Sequence, residues 1–174
     1  MLESVALRYD PAEDRVLVCI RATGEQRGDE HWLHLTRRVC AAWRADLQAM
    51  IDLSAQPPRQ LRPEAKAAVS AAHHQAMAGQ APLRTRPAAD GSPPSSAVAL
   101  VTSVACGRRR DDGRWVLRFE LRERGSLSLV LDDRTLHGLA AALSKHVHAA
   151  GWALPALPSE TGRTSAPSAA SAMH

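Results

Sequence analysis

The sequence predicts an α+β fold. Two strand–strand–strand–helix units form a mostly antiparallel sheet covered by helices on one face, with an extra Ala-rich helix between them. Three observations predict it. Residues 15–51 read strand, turn, strand, helix, and residues 114–147 read the same. The helix entries align, Leu33-His34-Leu35-Thr36-Arg37-Arg38 against Leu129-Val130-Leu131-Asp132-Asp133-Arg134. The helix stripes Cys40, Trp43, Leu47, Ile51 and Leu136, Leu139, Leu143, Val147 share spacings of three, four and four. This pattern predicts an internal repeat, each meander presenting one apolar face to one helix. Edge strands of the two units would then pair into one continuous antiparallel sheet, hiding two edges.

The elements follow in order. Residues 4–9 make a short strand, and Asp10-Pro11-Ala12-Glu13-Asp14 is a polar turn. In the strand 15–22, Val16, Val18 and Ile20 share one face and Leu17, Cys19 and Arg21 the other. The loop 24–30 is charged and holds two glycines; the strand 31–35 points Leu33 and Leu35 one way and His34 the other. Thr36 is placed as an N-cap, its hydroxyl facing the unpaired amides of the first turn. The helix runs to about residue 53 and adds Met50 to its stripe; Gln56-Pro57-Pro58 ends it. A second helix over 63–78 opens on Pro63 and exits at Gly79. Only Val69 and Met77 in it are larger apolar residues, so it is expected at the periphery. The stretch 80–96, with four Pro and three Ser, reads as a linker.

The second unit repeats the plan. Strands are expected at 98–105, 115–122 and 127–131, with turns at Gly107–Gly113 and Gly125-Ser126. In the middle strand Trp115, Leu117, Phe119 and Leu121 face in, and Arg118, Glu120 and Arg122 face out. Asp132 takes the place of Thr36 as cap and also opposes the positive helix end. Gly151 is the expected stop, and the Pro-, Ser- and Ala-rich 155–174 reads as a disordered tail. The organisation is therefore a first βββα unit (1–55), a peripheral helix and linker (56–96), a second unit (97–154) and the tail.

Composition narrows the function classes. The chain has 174 residues, net charge +4, and only two lysines, Lys66 and Lys145, among 22 basic residues. That Arg-, Ala- and Pro-heavy usage is what a GC-rich coding sequence gives, and it points to a bacterial type of protein. Three cysteines, none in a CxxC pair, indicate neither a zinc ribbon nor a disulfide framework. No basic segment followed by an apolar run opens the chain, and no stretch reaches the ~18 apolar residues of a membrane span. The expected location is the cytoplasm, with no membrane partner.

Catalytic and ligand motifs are absent: there is no GxSxG elbow, no GxGxxG and no Walker pattern. Asp132 is a cap, and Asp111-Asp112-Gly113 is turn chemistry. Cys19 and Cys40 read as packing residues and Cys106 as an ordinary strand-end cysteine, its alternative being a reactive thiol whose pKa the arginines after it would lower. His31 and His34 point to opposite faces of a strand, and His73 and His74 diverge by about 100° on a helix. A metal site is not assigned. Its alternative form is one assembled across the fold from His34, His74 or His137.

Two binding surfaces are expected. The first is a partner surface of apolar residues on outward positions: Leu17, Trp32, Val116 and Val130. The second is a basic set for anion or nucleic-acid contact: Arg37, Arg38, Arg108, Arg109, Arg110, Arg118 and Arg122. In topology alone the layout is similar to PUR-repeat or Whirly-type proteins, which implies single-strand binding. The aromatic stacking platform is missing, however, because Trp115 and Phe119 face the predicted core. The leading expectation is a non-enzymatic protein-interaction module with no cofactor, working as a homodimer through an exposed edge or open sheet face, or as an adaptor. Its alternatives are a single-stranded nucleic-acid-binding protein and a small metal-binding protein.

Overall fold

A computed structural model of the chain describes residues 2–22, 30–81, 97–123 and 125–154. The elements are β1 (Leu2–Asp10), β2 (Arg15–Ala22), β3 (Glu30–Thr36), α1 (Arg37–Ala55), α2 (Pro63–Gly79), β4 (Val98–Arg108), β5 (Trp115–Leu121), β6 (Gly125–Leu131) and α3 (Asp133–Ala149). The expected linker beyond residue 81, most of the loop 24–30, and the tail 155–174 lie outside the described residues.

The six strands form one sheet in the order β1-β2-β3-β4-β5-β6. Four of its five pairings are antiparallel, and the junction between β3 and β4 is parallel, with Leu33 opposite Ala99. This corrects the expectation of a continuous antiparallel sheet. The chain passes through α1 and α2 between these strands, and a long crossover is the connection that parallel neighbours need. The sheet coils far enough that its edge strands, β1 and β6, approach each other.

The two three-stranded units share one register. Val16 lies opposite Leu35 and Val18 opposite Leu33; Trp115 lies opposite Leu131 and Leu117 opposite Leu129. Both first pairings slip by one residue at the same place, between Leu2 and Ser4 and between Val101 and Ser103. The β4 strand runs three residues further than expected, because Cys106, Gly107 and Arg108 pair with Leu117, Val116 and Trp115. Gly125 opens β6 opposite Leu121 rather than forming the turn, and its φ of +74° is a conformation glycine adopts without strain.

Both caps form as the residue types dictate. Thr36 Oγ1 accepts from Val39 N at 3.3 Å, and Asp132 Oδ1 from Thr135 N at 2.8 Å. Gln56 ends α1 in the left-handed region (φ +44°), and Gly151 follows α3 at φ +66°. The helices do not each cover their own meander. Helix α1 approaches β4 most closely and α3 approaches β1. Trp43 of α1 packs edge-on to Phe119 of β5, their centroids 5.5 Å apart. One core therefore runs through both units, from Val5 and Leu7 to Trp115, Leu143 and Trp152. Helix α2 packs on α3 and α1, away from the sheet, and buries only Ser70 and His74. Among the described residues no helix is long and apolar enough to cross a membrane.

Candidate functional site

Period-two alternation gives each unit an outward sheet face of nine matched positions. In the first unit these are Ser4, Ala6 and Arg8 on β1, Leu17, Cys19 and Arg21 on β2, and Glu30, Trp32 and His34 on β3. All nine are buried or half-buried. Arg21 pairs with Glu30, and Trp32 Nε1 donates to Glu30 Oε2 at 3.2 Å. Leu17, flanked by Arg8 and His34, is only 2% exposed. Burial raises the Cys19 thiol and lowers the His34 imidazole, the latter helped by Arg15.

The same nine positions of the second unit carry Ser103, Ala105 and Gly107, then Val116, Arg118 and Glu120, then Ser126, Ser128 and Val130. All of the β4 positions, Arg118 and both serines of β6 are exposed. Arg118 pairs with Glu120 at 2.8 Å. Val116 and Val130 lie directly opposite each other, half-buried. Gly107 flanks Val116 where Arg8 flanks Leu17, and a side chain there would meet nothing within 4 Å. The four apolar residues expected as a partner surface therefore separate. Val116 and Val130 form an open pair, Leu17 is closed in, and Trp32 is tied to Glu30. Helix α2 covers neither face.

The arginines do not converge. Arg37 and Arg38 begin α1 beside the β1–β2 turn, where Arg37 acts on Asp14. Arg108, Arg109 and Arg110 lie at the β4–β5 turn. From the level of Thr36, near Thr102, β4 continues about 20 Å to Arg108. Each group also meets carboxylates. Arg109 pairs with Asp111 and Asp112, and Arg114 with Asp112 at 3.8 Å. Arg108 donates to Gly113 O at 2.7 Å and lies over the Trp115 ring at 5.1 Å. Arg122 is exposed at the opposite end of β5.

The turn opposite carries a contact that the sequence reading missed. Asp14 (φ +48°) accepts from Tyr9 Oη at 2.7 Å and from Trp152 Nε1 at 2.8 Å. These two bonds hold its carboxyl below the usual range. Tyr9 and Trp152 meet edge-on at 5.8 Å, so the end of α3 is fastened to the β1–β2 turn. The signal was present as an aspartate before Arg15 and a tryptophan after Gly151, but their separation of 138 residues hid it.

Histidines gather in the helix layer. His74 Nδ1 and His137 Nδ1 are 2.7 Å apart, both rings fully buried. His137 Nε2 lies 3.3 Å from Ser54 Oγ, which is 3.4 Å from His73 Nε2. His73 and His74 diverge as expected, yet both reach the same imidazole: the His73 and His137 rings meet at 5.2 Å. His34 is elsewhere, on the outer sheet face. Two nitrogens on one tetrahedral zinc at ~2.05 Å would sit about 3.3 Å apart, so the 2.7 Å spacing is that of a hydrogen bond. No group of three metal-ligating side chains with suitable geometry occurs among the described residues.

Two interactions in this neighbourhood were not anticipated. Arg44 of α1 is 3% exposed and bonds Ser144 Oγ of α3 at 3.1 Å. Cys106, read as an ordinary strand-end cysteine, is pushed up to about 11, first by burial and then by Asp46, which goes against the alternative of a thiol activated by the arginines after it. Cys40 is pushed up to about 12 by burial. No protein-family model, curated protein or solved structure matches the chain.

Proposed function

We propose that the protein is a non-enzymatic protein-interaction module of bacterial type, built by duplication of a βββα unit. It works in the cytoplasm as a homodimer or an adaptor. The observation that carries this reading is the contrast between two matched outward faces. The first is closed, all nine positions being buried or half-buried, with Glu30 bonded to both Arg21 and Trp32. The second is more open: beside the Arg118–Glu120 pair, Val116 and Val130 lie opposed next to Gly107, with alanine and serines at the remaining positions. Matching registers, slips and caps support the duplication. Because β1 and β6 approach each other, the open face rather than an edge strand is the proposed contact.

The test is molar mass by light scattering, with Val116→Asp as the control. A self-associating wild type and a variant weakened at least about tenfold are expected. A second reading, single-stranded nucleic-acid binding, draws on the exposed Arg38, Arg110 and Arg122. Ion pairing of Arg109, Arg114 and Arg118 weakens it. Binding to a random oligonucleotide that strengthens steeply as salt falls would favour that reading. No shift at low salt would end it.

A further inference from the structure

We infer that His74 and His137 form a pH-sensitive latch, which docks α2 on α1 and α3 while both rings are neutral and frees it when the pair takes on charge.

The geometry starts from how little else holds α2. Only Ser70 and His74 of its seventeen residues are buried, and Val69 is exposed. Apolar burial, at roughly 25 cal/mol per Å², therefore contributes little to docking. The specific contact is the 2.7 Å approach of the two Nδ1 atoms, one donating and the other accepting. Ser54 of α1 extends it, lying between His137 Nε2 and His73 Nε2. Helices α1, α2 and α3 all meet at this chain of bonds.

Protonation opposes that arrangement twice. A first added proton places a charge in a site with no exposed surface. A second turns both Nδ1 atoms into donors facing each other at hydrogen-bond distance. From α2, His73 opposes a charged His137; from α3, Asp133 favours it. From α1 the buried Arg44 reaches the same interhelical layer, bonded to Ser144. The core residues of β1 and β6, strands against which α3 packs, are apolar: Val5, Leu7, Leu129 and Leu131. Burial, with His74 and His73 next, pushes His137 down to about 4.

The sign follows from linkage. A ring at 6.5 when α2 is undocked and about 4 when docked favours docking fully above pH 6.5. That preference is lost as pH falls from 6.5 towards 4. At pH about 5, opening of α2 should rise about 20-fold over neutral pH.

Hydrogen exchange on the full chain tests this, with rates corrected for intrinsic chemistry. The expected result is that α2 amides open at a lower free energy than β2 and β5 amides and lose about 20-fold in protection between pH about 7 and pH about 5. The double variant His74→Leu/His137→Leu should lose the pH response. Three results would overturn the latch: unchanged α2 protection in the wild type, α2 amides that open only at the free energy of the β2 and β5 amides, or a double variant that keeps the response. The wild-type measurement decides even where the variant does not fold.

Discussion

The two outward sheet faces have the same backbone and opposite character. Leu17 and Val116 occupy matched positions, each on the middle strand of its unit. Leu17 lies between Arg8 and His34 and is closed in; Val116 lies between Gly107 and Val130 and is half-open. Where the units agree, in register, caps and helix stripes, the requirement is the fold. Where they differ, the fold tolerates either choice, so the difference reflects something outside folding.

The comparison is broken most forcefully through the core that both units share. Trp43→Ala, which empties the contact of α1 with Phe119, should cost about 4 kcal/mol, and Leu139→Ala about 3 kcal/mol. Each should lower a single cooperative urea transition, since α1 serves β4 and α3 serves β1. Two separated transitions would mean that the units have separate cores.

Next in size is the direct contrast. Leu17→Asp places a carboxylate at a position 2% exposed and should cost about 3 kcal/mol. Val116→Asp, at the matched half-open position, should stay within about 1 kcal/mol. Equal losses in chemical denaturation would erase the proposed difference between the faces.

The caps should show the smallest effects. Thr36→Ala and Asp132→Ala should each cost about 1 kcal/mol near neutral pH. They should diverge in acid. Burial alone would raise the Asp132 carboxyl, but bonds from Thr135, with Arg134 and Arg114 nearby, bring it below 3.8. Its contribution is present above pH 3.8 and lost as pH falls through its lowered value, so the Asp132→Ala penalty shrinks there. The Thr36→Ala penalty should not. A pH titration of thermal stability checks both.

Local patterns made much of this architecture legible. Thr36 and Asp132 announced their helices, and the stripes from Cys40 to Ile51 and from Leu136 to Val147 lie in the core. What stayed hidden needs three-dimensional neighbours. Strand direction at β3–β4 depends on the long crossover between the two strands, which alternation does not encode. The open second face was half-readable: Val116 and Val130 were visible as outward residues, but not that Gly107 adjoins one of them. His73 and His74 diverge on α2, and only the position of His137 between them makes a cluster. The arginines of 108–110 suggested a basic loop because Asp111 and Asp112 were read as turn residues, not as ion-pair partners.

Solution mass tests the open-face account most directly. At high concentration the wild type should have about twice the chain mass of 18.8 kDa. Val116→Asp should return it to the single-chain mass while keeping one cooperative melting transition. A wild type that stays at 18.8 kDa, or a Val116→Asp variant that still doubles it, would contradict self-association through the open face of the second unit.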